Sequence, residues 1–239
     1  MNKFPEMDAD IKVIFLYNRS LYYNCLKEYN KAVEHIDELI NIVDKNSNLE
    51  YTRILLLKAS CLYNLNNYDE ALRIYEELLK ITLDNDYGNK ALYYNNLVEI
   101  YLDMKKKDMA NKNLNEVLEL IPKVSEDFYS LPHLYLEIGR RYIKLENKKS
   151  AIIFLHQSLN LAKKFKYSFI ITDALMELTN ISEENIDVDI KDEFLDLVYV
   201  YGEVNNMLLI NILQYFARLN DNNTIEYICN SCKSYLKNI

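Results

Sequence analysis

Three histidines and four cysteines carry most of the reactive chemistry available to this sequence. His35, His133 and His156 fall in separate amphipathic segments, with no HExxH spacing to hold zinc and no GxSxG elbow to activate a serine. Cys229 and Cys232 form a CxxC. Zinc would need a second ligand pair at comparable spacing, and a redox pair would need a strand-helix-strand setting. Neither is present, so the two thiols read as small apolar groups a turn apart on one helix face. Cys25 and Cys61 are too scattered for a disulfide framework, which fits a reducing compartment. The only glycines, Gly88, Gly139 and Gly202, are isolated, which excludes the glycine-rich phosphate loops of nucleotide and dinucleotide folds. No catalytic residue, metal ligand or cofactor is expected, and the chain is not expected to be an enzyme.

What remains is binding, and the composition limits its kind. Half of the 239 residues are apolar and 27% are charged, the balance of a chain that buries a core. With 36 acidic and 28 basic side chains the net charge is −8, the wrong sign for a phosphate-gripping surface. Direct nucleic-acid binding is therefore not expected. The lysines at 105–107 and at 163, 164 and 166 sit at a turn and a helix end, where cations favour the helix dipole and face water. No run approaches a membrane span and residues 1–12 lack a signal-peptide core, so a cytoplasmic chain without a membrane partner is expected.

The elements that position any binding surface come from a repeat. Four short polar breaks, at 26–29, 65–68, 104–107 and 145–148, begin 39, 39 and 41 residues apart, and a fifth at 219–222 lies 74 residues beyond the fourth. Each separates two amphipathic patterns. Leu55, Leu56, Ala59, Leu62 and Leu65 precede one break; Ala71, Leu72, Tyr75, Leu78 and Leu79 follow it, at the spacing of a single helix face. A repeat is thus two antiparallel helices joined by a tight turn, and neither helix can bury its apolar face alone, so pairs must stack.

The residues at the close-approach positions resemble the tetratricopeptide repeat. Tyr135, Ile138, Gly139 and Tyr142 followed by Ala151 match its pattern of aromatic, apolar, small and aromatic, then Ala. Tyr94, Leu97, Val98 and Tyr101 followed by Ala110 and Pro122 do so in the third repeat; Ala59, Leu62, Tyr68, Ala71 and Tyr75 in the second; Ser20, Tyr23, Tyr29 and Ala32 more loosely in the first. The resemblance implies an all-α fold, a right-handed superhelical solenoid of about six helix pairs in one domain over 1–239. Four repeats are clear over 10–165 and two are degenerate over 166–239. The fifth pair uses Ile171 to Ile181 and Phe194 to Tyr201 with a loop near 182–189, and the sixth uses 209–219 and 224–237. Long repeats rich in Tyr (21) and Asn (29) are similar to the sensor domains of Rap, Rgg and PlcR-type peptide-pheromone receptors of low-GC Gram-positive bacteria. In that family a helix-turn-helix commonly precedes the repeats; repeat helices here begin near Asp8, so no DNA-binding domain is expected in this chain.

That resemblance places the binding surface on the first helix of each pair. The inward set includes Asn18 from repeat one, Arg53, Tyr63 and Asn64 from two, and Asn95, Asn96 and Glu99 from three. His133, Glu137 and Arg140 come from repeat four, Asn180 from five and Asn211 from six. An Asn amide offers one acceptor and two donors and matches a peptide unit, which makes Asn95 and Asn96 the first choice for holding an extended peptide. Arg53, Arg140 and Lys144 either receive a carboxylate or pair with Glu99 and Glu137. The expected partner is a short peptide or an extended protein segment. The chain would then be the sensing part of a peptide-responsive transcriptional regulator, or a constitutive scaffold or co-chaperone-like adaptor. The adaptor is disfavoured because residues 16–24 lack the Lys that a clamp for acidic chaperone tails uses. The apolar run Met207, Leu208, Leu209, Ile210, Ile212 and Leu213 leads to an expected homodimer through the C-terminal repeats.

Overall fold

Twelve helices and no strand are present in the computed structural model, which describes residues 9–43, 48–181, 190–201 and 206–237. They form six successive pairs: α1 (Ala9–Cys25) with α2 (Tyr29–Ile40), α3 (Asn48–Asn64) with α4 (Tyr68–Ile81), and α5 (Tyr87–Asp103) with α6 (Lys107–Leu120). They continue with α7 (Leu131–Lys144) and α8 (Lys148–Phe165), α9 (Ser168–Ile181) and α10 (Ile190–Tyr201), and α11 (Asn206–Arg218) and α12 (Asn222–Lys237). The fold is the all-α helical repeat expected from the sequence. The chain divides into two compact units, Met1–Lys123 and Val124–Ile239, each holding three pairs. The expected fifth-repeat loop near 182–189, Gly202 and the side chain of Tyr201 lie outside the described residues.

Each break closes its pair in the same way. Its second residue, Lys27, Asn66, Lys105, Glu146 or Asn220, has φ between 57° and 62° in the left-handed region. The following amide bonds the carbonyl five residues back, as in Glu28 N–H to Tyr23, Asn67 to Leu62, Lys106 to Tyr101, Asn147 to Tyr142 and Asp221 to Phe216. The left-handed residue itself donates to the carbonyl three back, completing a Schellman motif that occupies the orphan carbonyls of the first helix. Second helices start at once: Asn147 caps α8 by accepting from the Ser150 N–H, and Asp221 accepts from the Thr224 N–H.

Close approach within a pair is made by small residues. Ser20 and Ala32, Ala59 and Ala71, and Val98 and Ala110 are all fully buried, and Ala59 and Ala71 share one core cluster. Ser20 satisfies its hydroxyl on its own helix, 2.8 Å from the Leu16 carbonyl. At Gly139 a Cβ would lie 2.8 Å from two atoms of Leu155 and 3.4 Å from the Ala151 carbonyl, so the glycine is required by contact between α7 and α8. Around these contacts unit 1 buries Leu55, Leu62, Leu72, Leu78 and Tyr93 in one cluster and Leu16, Ile36, Leu39 and Ile54 in another. Unit 2 buries Leu155, Leu175, Phe194, Ile212 and Tyr215.

Two outcomes test this account. A left-handed non-glycine residue costs about 1 kcal/mol, so Lys105→Gly and Glu146→Gly should each raise unfolding free energy by about 0.5–1 kcal/mol in denaturant titrations. Gly139→Val should lower it by about 1–3 kcal/mol, through displacement of Leu155.

Candidate functional site

The first helices carry the candidate residues, and in unit 1 they form a pocket. Val13, Ile14, Tyr17 and Asn18 of α1 meet Glu50, Arg53 and Ile54 of α3 around a cavity of about 150 Å³. That volume holds one benzene-sized group rather than a drug-sized ligand. Val13, Ile14 and Ile54 give it apolar walls, and Arg53 and Asn18, both exposed, stand at its polar side. Two of the sequence-selected residues are therefore brought together from successive repeats.

Further along the same helices, polar side chains tie neighbours to each other. The Cys61 thiol donates to Asn24 Oδ1 at 3.4 Å, linking α3 to α1, and burial pushes that thiol up to about 11. The Tyr63 hydroxyl donates to Asp103 of α5. Asn64 is exposed and donates to the Ser60 carbonyl of its own helix at 2.8 Å. Asn96 and Glu99 are half-buried on α5. Asn95, one of the two preferred groove amides, is only 2% exposed, and its Oδ1 has no hydrogen-bond partner among the described residues. Its amide is thus enclosed rather than displayed on an open face, because α5 turns Ala91, Asn95 and Val98 the same way, and all three are buried.

In unit 2 the corresponding side chains form a closed charge network. Arg140 reaches three carboxylates: Nε to Glu177 at 2.8 Å, Nη1 to Glu137 at 2.8 Å and Nη2 to Asp173 at 3.0 Å. Glu137 also receives Arg141, whose side chain is 3% exposed, at 2.7 Å. His133 stands 4.0 Å from Glu137 on the exposed side. Burial raises the Glu137 carboxyl, but Arg141 and Arg140 outweigh it and hold the group below the ordinary carboxylate range. Of the two roles open to Arg140, the pairing role is the one the geometry shows: each of its three nitrogens already meets an internal carboxylate. Asn180 is exposed at the end of α9, and Asn211 half-buried on α11. Arg218 donates from α11 to the Thr179 carbonyl of α9.

Residues 50–123 match the tetratricopeptide repeat family model. Over that segment the chain resembles tetratricopeptide repeats. The matched segment covers α3 to α6 of unit 1. Among curated proteins, the tetratricopeptide repeat-containing protein MJ1428 of Methanocaldococcus jannaschii is 28% identical over 140 residues, 58% of this chain and 23% of its own length. Signal recognition particle subunit SRP72 of Dictyostelium discoideum is 29% identical over 170 residues, 71% of this chain and 22% of its own length. The chain thus spans under a quarter of these relatives. Among solved structures, the apo form of RapI is 18% identical with a TM-score of 0.60, covering 98% of this chain and 87% of that one. A Rap protein complexed with competence and sporulation factor is 16% identical with a TM-score of 0.62, covering 97% and 78%. The Rap conjugation gene regulator of plasmid pLS20, in complex with the Phr* peptide, is 15% identical with a TM-score of 0.62, covering 98% and 66%. These likenesses are of fold.

Sequence reasoning missed features between the second helices and α3. A cleft of about 440 Å³ lies among the end of α2, α3 and α4, lined by Tyr51, Lys58, Arg73 and Glu77 among others. Lys58 spans it, 2.8 Å from Asp37 and 3.6 Å from Glu70, and the Tyr51 hydroxyl donates to Glu77 at 3.0 Å. These residues sit between helix faces, where a one-helix periodicity gives no signal. His35 of α2 stacks on Tyr23 of α1 with ring centroids 5.4 Å apart. Cys229 and Cys232 lie a turn apart on α12, with Cys232 buried. In the C-terminal pair, Leu208 and Ile212 are core residues and Leu209 and Leu213 pack against that core, which leaves Met207 and Ile210 exposed. Among the described residues no helix is long and apolar enough to cross a membrane.

The network makes a pH prediction. Because the folded Glu137 carboxyl is depressed, its contribution to stability is present above the ordinary value near 4.5 and is lost as pH falls through the folded value. Glu137→Gln should cost about 2–3 kcal/mol at neutral pH and flatten the acid limb of stability against pH, measured by denaturant unfolding from pH 7 to 3.

Proposed function

We propose that this chain is the ligand-sensing part of a cytoplasmic peptide-responsive regulator, and that an extended peptide lies along the first helices of unit 1. The carrying observation is the pocket between α1 and α3, in which side chains of successive repeats converge on a space for one apolar group. A ligand suited to it presents an apolar side chain to Val13, Ile14 and Ile54, with a carboxylate nearby for the Arg53 fork. Asn96 and Glu99 then offer polar contacts two helices further on. Support also comes from the shared fold: one Rap neighbour was solved with the Phr* peptide and another with competence and sporulation factor.

The network in unit 2 favours a second reading, a constitutive scaffold. Arg140 bridges α7 to α9 through two carboxylates, and Arg218 bridges α9 to α11, so a change of curvature within that unit would have to break charged contacts. A sensor must bind its ligand with different affinity in two states, whereas a scaffold need not.

A random-peptide display screen against the purified chain, followed by calorimetry, tests the site. Arg53→Ala should weaken the enriched peptides about tenfold, or about 1.4 kcal/mol, and Asn96→Ala should weaken them as well. Arg73→Ala, in the separate cleft among α2, α3 and α4, should leave affinity unchanged. Peptides that bind Arg53→Ala as tightly as the wild type would remove the pocket from the reading. Small-angle scattering with saturating peptide then separates sensor from scaffold, since an unchanged profile belongs to a scaffold.

A further inference from the structure

The exposed arc of α1 has an unusual composition. Leu16 and Ser20 point into unit 1, and positions 11, 14, 15, 18, 22, 25 and 26 occupy the opposite arc, within about 120° of one another at 3.6 residues per turn. All seven are exposed, and six of them carry apolar side chains: Ile11 (56%), Ile14 (61%), Phe15, Tyr22 (60%), Cys25 and Leu26. Asn18 is the single amide among them. By contrast, α3 exposes Glu50, Arg53 and Asn64, and α7 exposes His133 and Lys144. The steps of three and four residues along the α1 arc are those of a helix-packing seam.

We propose that this arc is a self-association surface, on which α1 of one copy of this chain packs antiparallel against α1 of a second copy about a two-fold axis at Asn18; because Ile14 and Asn18 also border the α1–α3 pocket, the second copy and a pocket-bound peptide compete for them. A two-fold contact requires a patch complementary to itself. The α1 arc meets that requirement because its pattern reads nearly the same in both directions from Asn18. Reversing the helix sets Ile11 against Cys25 and Leu26, and Ile14 and Phe15 against Tyr22. Asn18 meets Asn18 of the second copy, where two amides can exchange donor and acceptor. Charge agrees with the antiparallel sense, since Lys27 at one end of the arc comes beside Asp10 of the second copy at the other. A parallel pair would instead set each lysine against its own kind. Arg19, whose guanidinium lies 5.7 Å from the Phe15 ring centroid, flanks the seam and leaves its centre apolar. The surface differs from the C-terminal pair, where burial of Leu208 and Ile212 leaves a smaller apolar area exposed.

Sedimentation equilibrium on the whole chain, with and without substitutions at fully solvent-facing positions, tests the proposal. The wild type should be a concentration-dependent dimer. Ile11→Glu and Tyr22→Glu should each weaken it at least tenfold while circular dichroism keeps the helical signal of the wild type. Orientation is read by oxidation: Ile11→Cys should link the introduced thiol of one copy to Cys25 of the other, mapped by peptide mass spectrometry. Within one helix these positions are about 21 Å apart, out of disulfide reach. A wild type that stays monomeric at its highest soluble concentration overturns the proposal, and so does a dimer indifferent to both glutamates. A Cys25-to-Cys25 link in the wild type would show parallel pairing and overturn the antiparallel seam.

Discussion

Everything in this chain depends on how a pair of helices is closed. The left-handed residue of each break turns the chain back so that the second helix packs on the first: at Gly139 the contact with Leu155 leaves no room for a Cβ, and Ser20, Ala59 and Val98 are buried at the matching positions. Because the turn is held by two backbone bonds to the end of the first helix, the second helix starts at a fixed rotation. That rotation decides which of its residues enter the core. It also decides which side of the first helix is left to face outward, and so where a ligand surface can lie.

The pair architecture was legible in the sequence because it rests on local signals. The breaks at 26–29, 65–68, 104–107, 145–148 and 219–222 coincide with the observed turns, and the small-residue positions are all buried. The scarcity of glycine acquires a physical meaning as well: Lys, Asn and Glu occupy left-handed positions that glycine would take at lower conformational cost. The second connection type was not legible. Lys166, after α8, adopts the same left-handed turn between two pairs that the other five adopt within pairs, and nothing in residues 163–167 distinguishes the two uses.

The candidate site was only partly legible, since periodicity assigns a face and not the contacts made on it. Asn18 and Arg53 converge on one pocket, as their positions suggested. Asn95 sits on a buried arc of α5, and Arg140 is enclosed by acids from two helices. The second of these acids, Glu177, lies 37 residues away, a separation at which a single sequence carries no pairing signal. Much of the polarity on the first helices therefore serves to join neighbouring repeats: Asn24 with Cys61, Tyr63 with Asp103, Arg140 with Asp173, and Arg218 with Thr179. The pocket between α1 and α3, the site proposed for a ligand, has apolar walls from Val13, Ile14 and Ile54.

The fixed turns also govern how a chain of this kind can change length. An added or deleted residue within a break would rotate the following helix by about 100° and carry its apolar stripe out of the core. The segments at 82–86 and 121–130, between pairs, carry no such left-handed lock, so insertions can accumulate there without re-aiming a helix. Drift in repeat length is thereby channelled into the links between pairs. The register within each pair stays fixed, as does that of the locked α8–α9 link at Lys166, while the links at 82–86 and 121–130 take up the change in length.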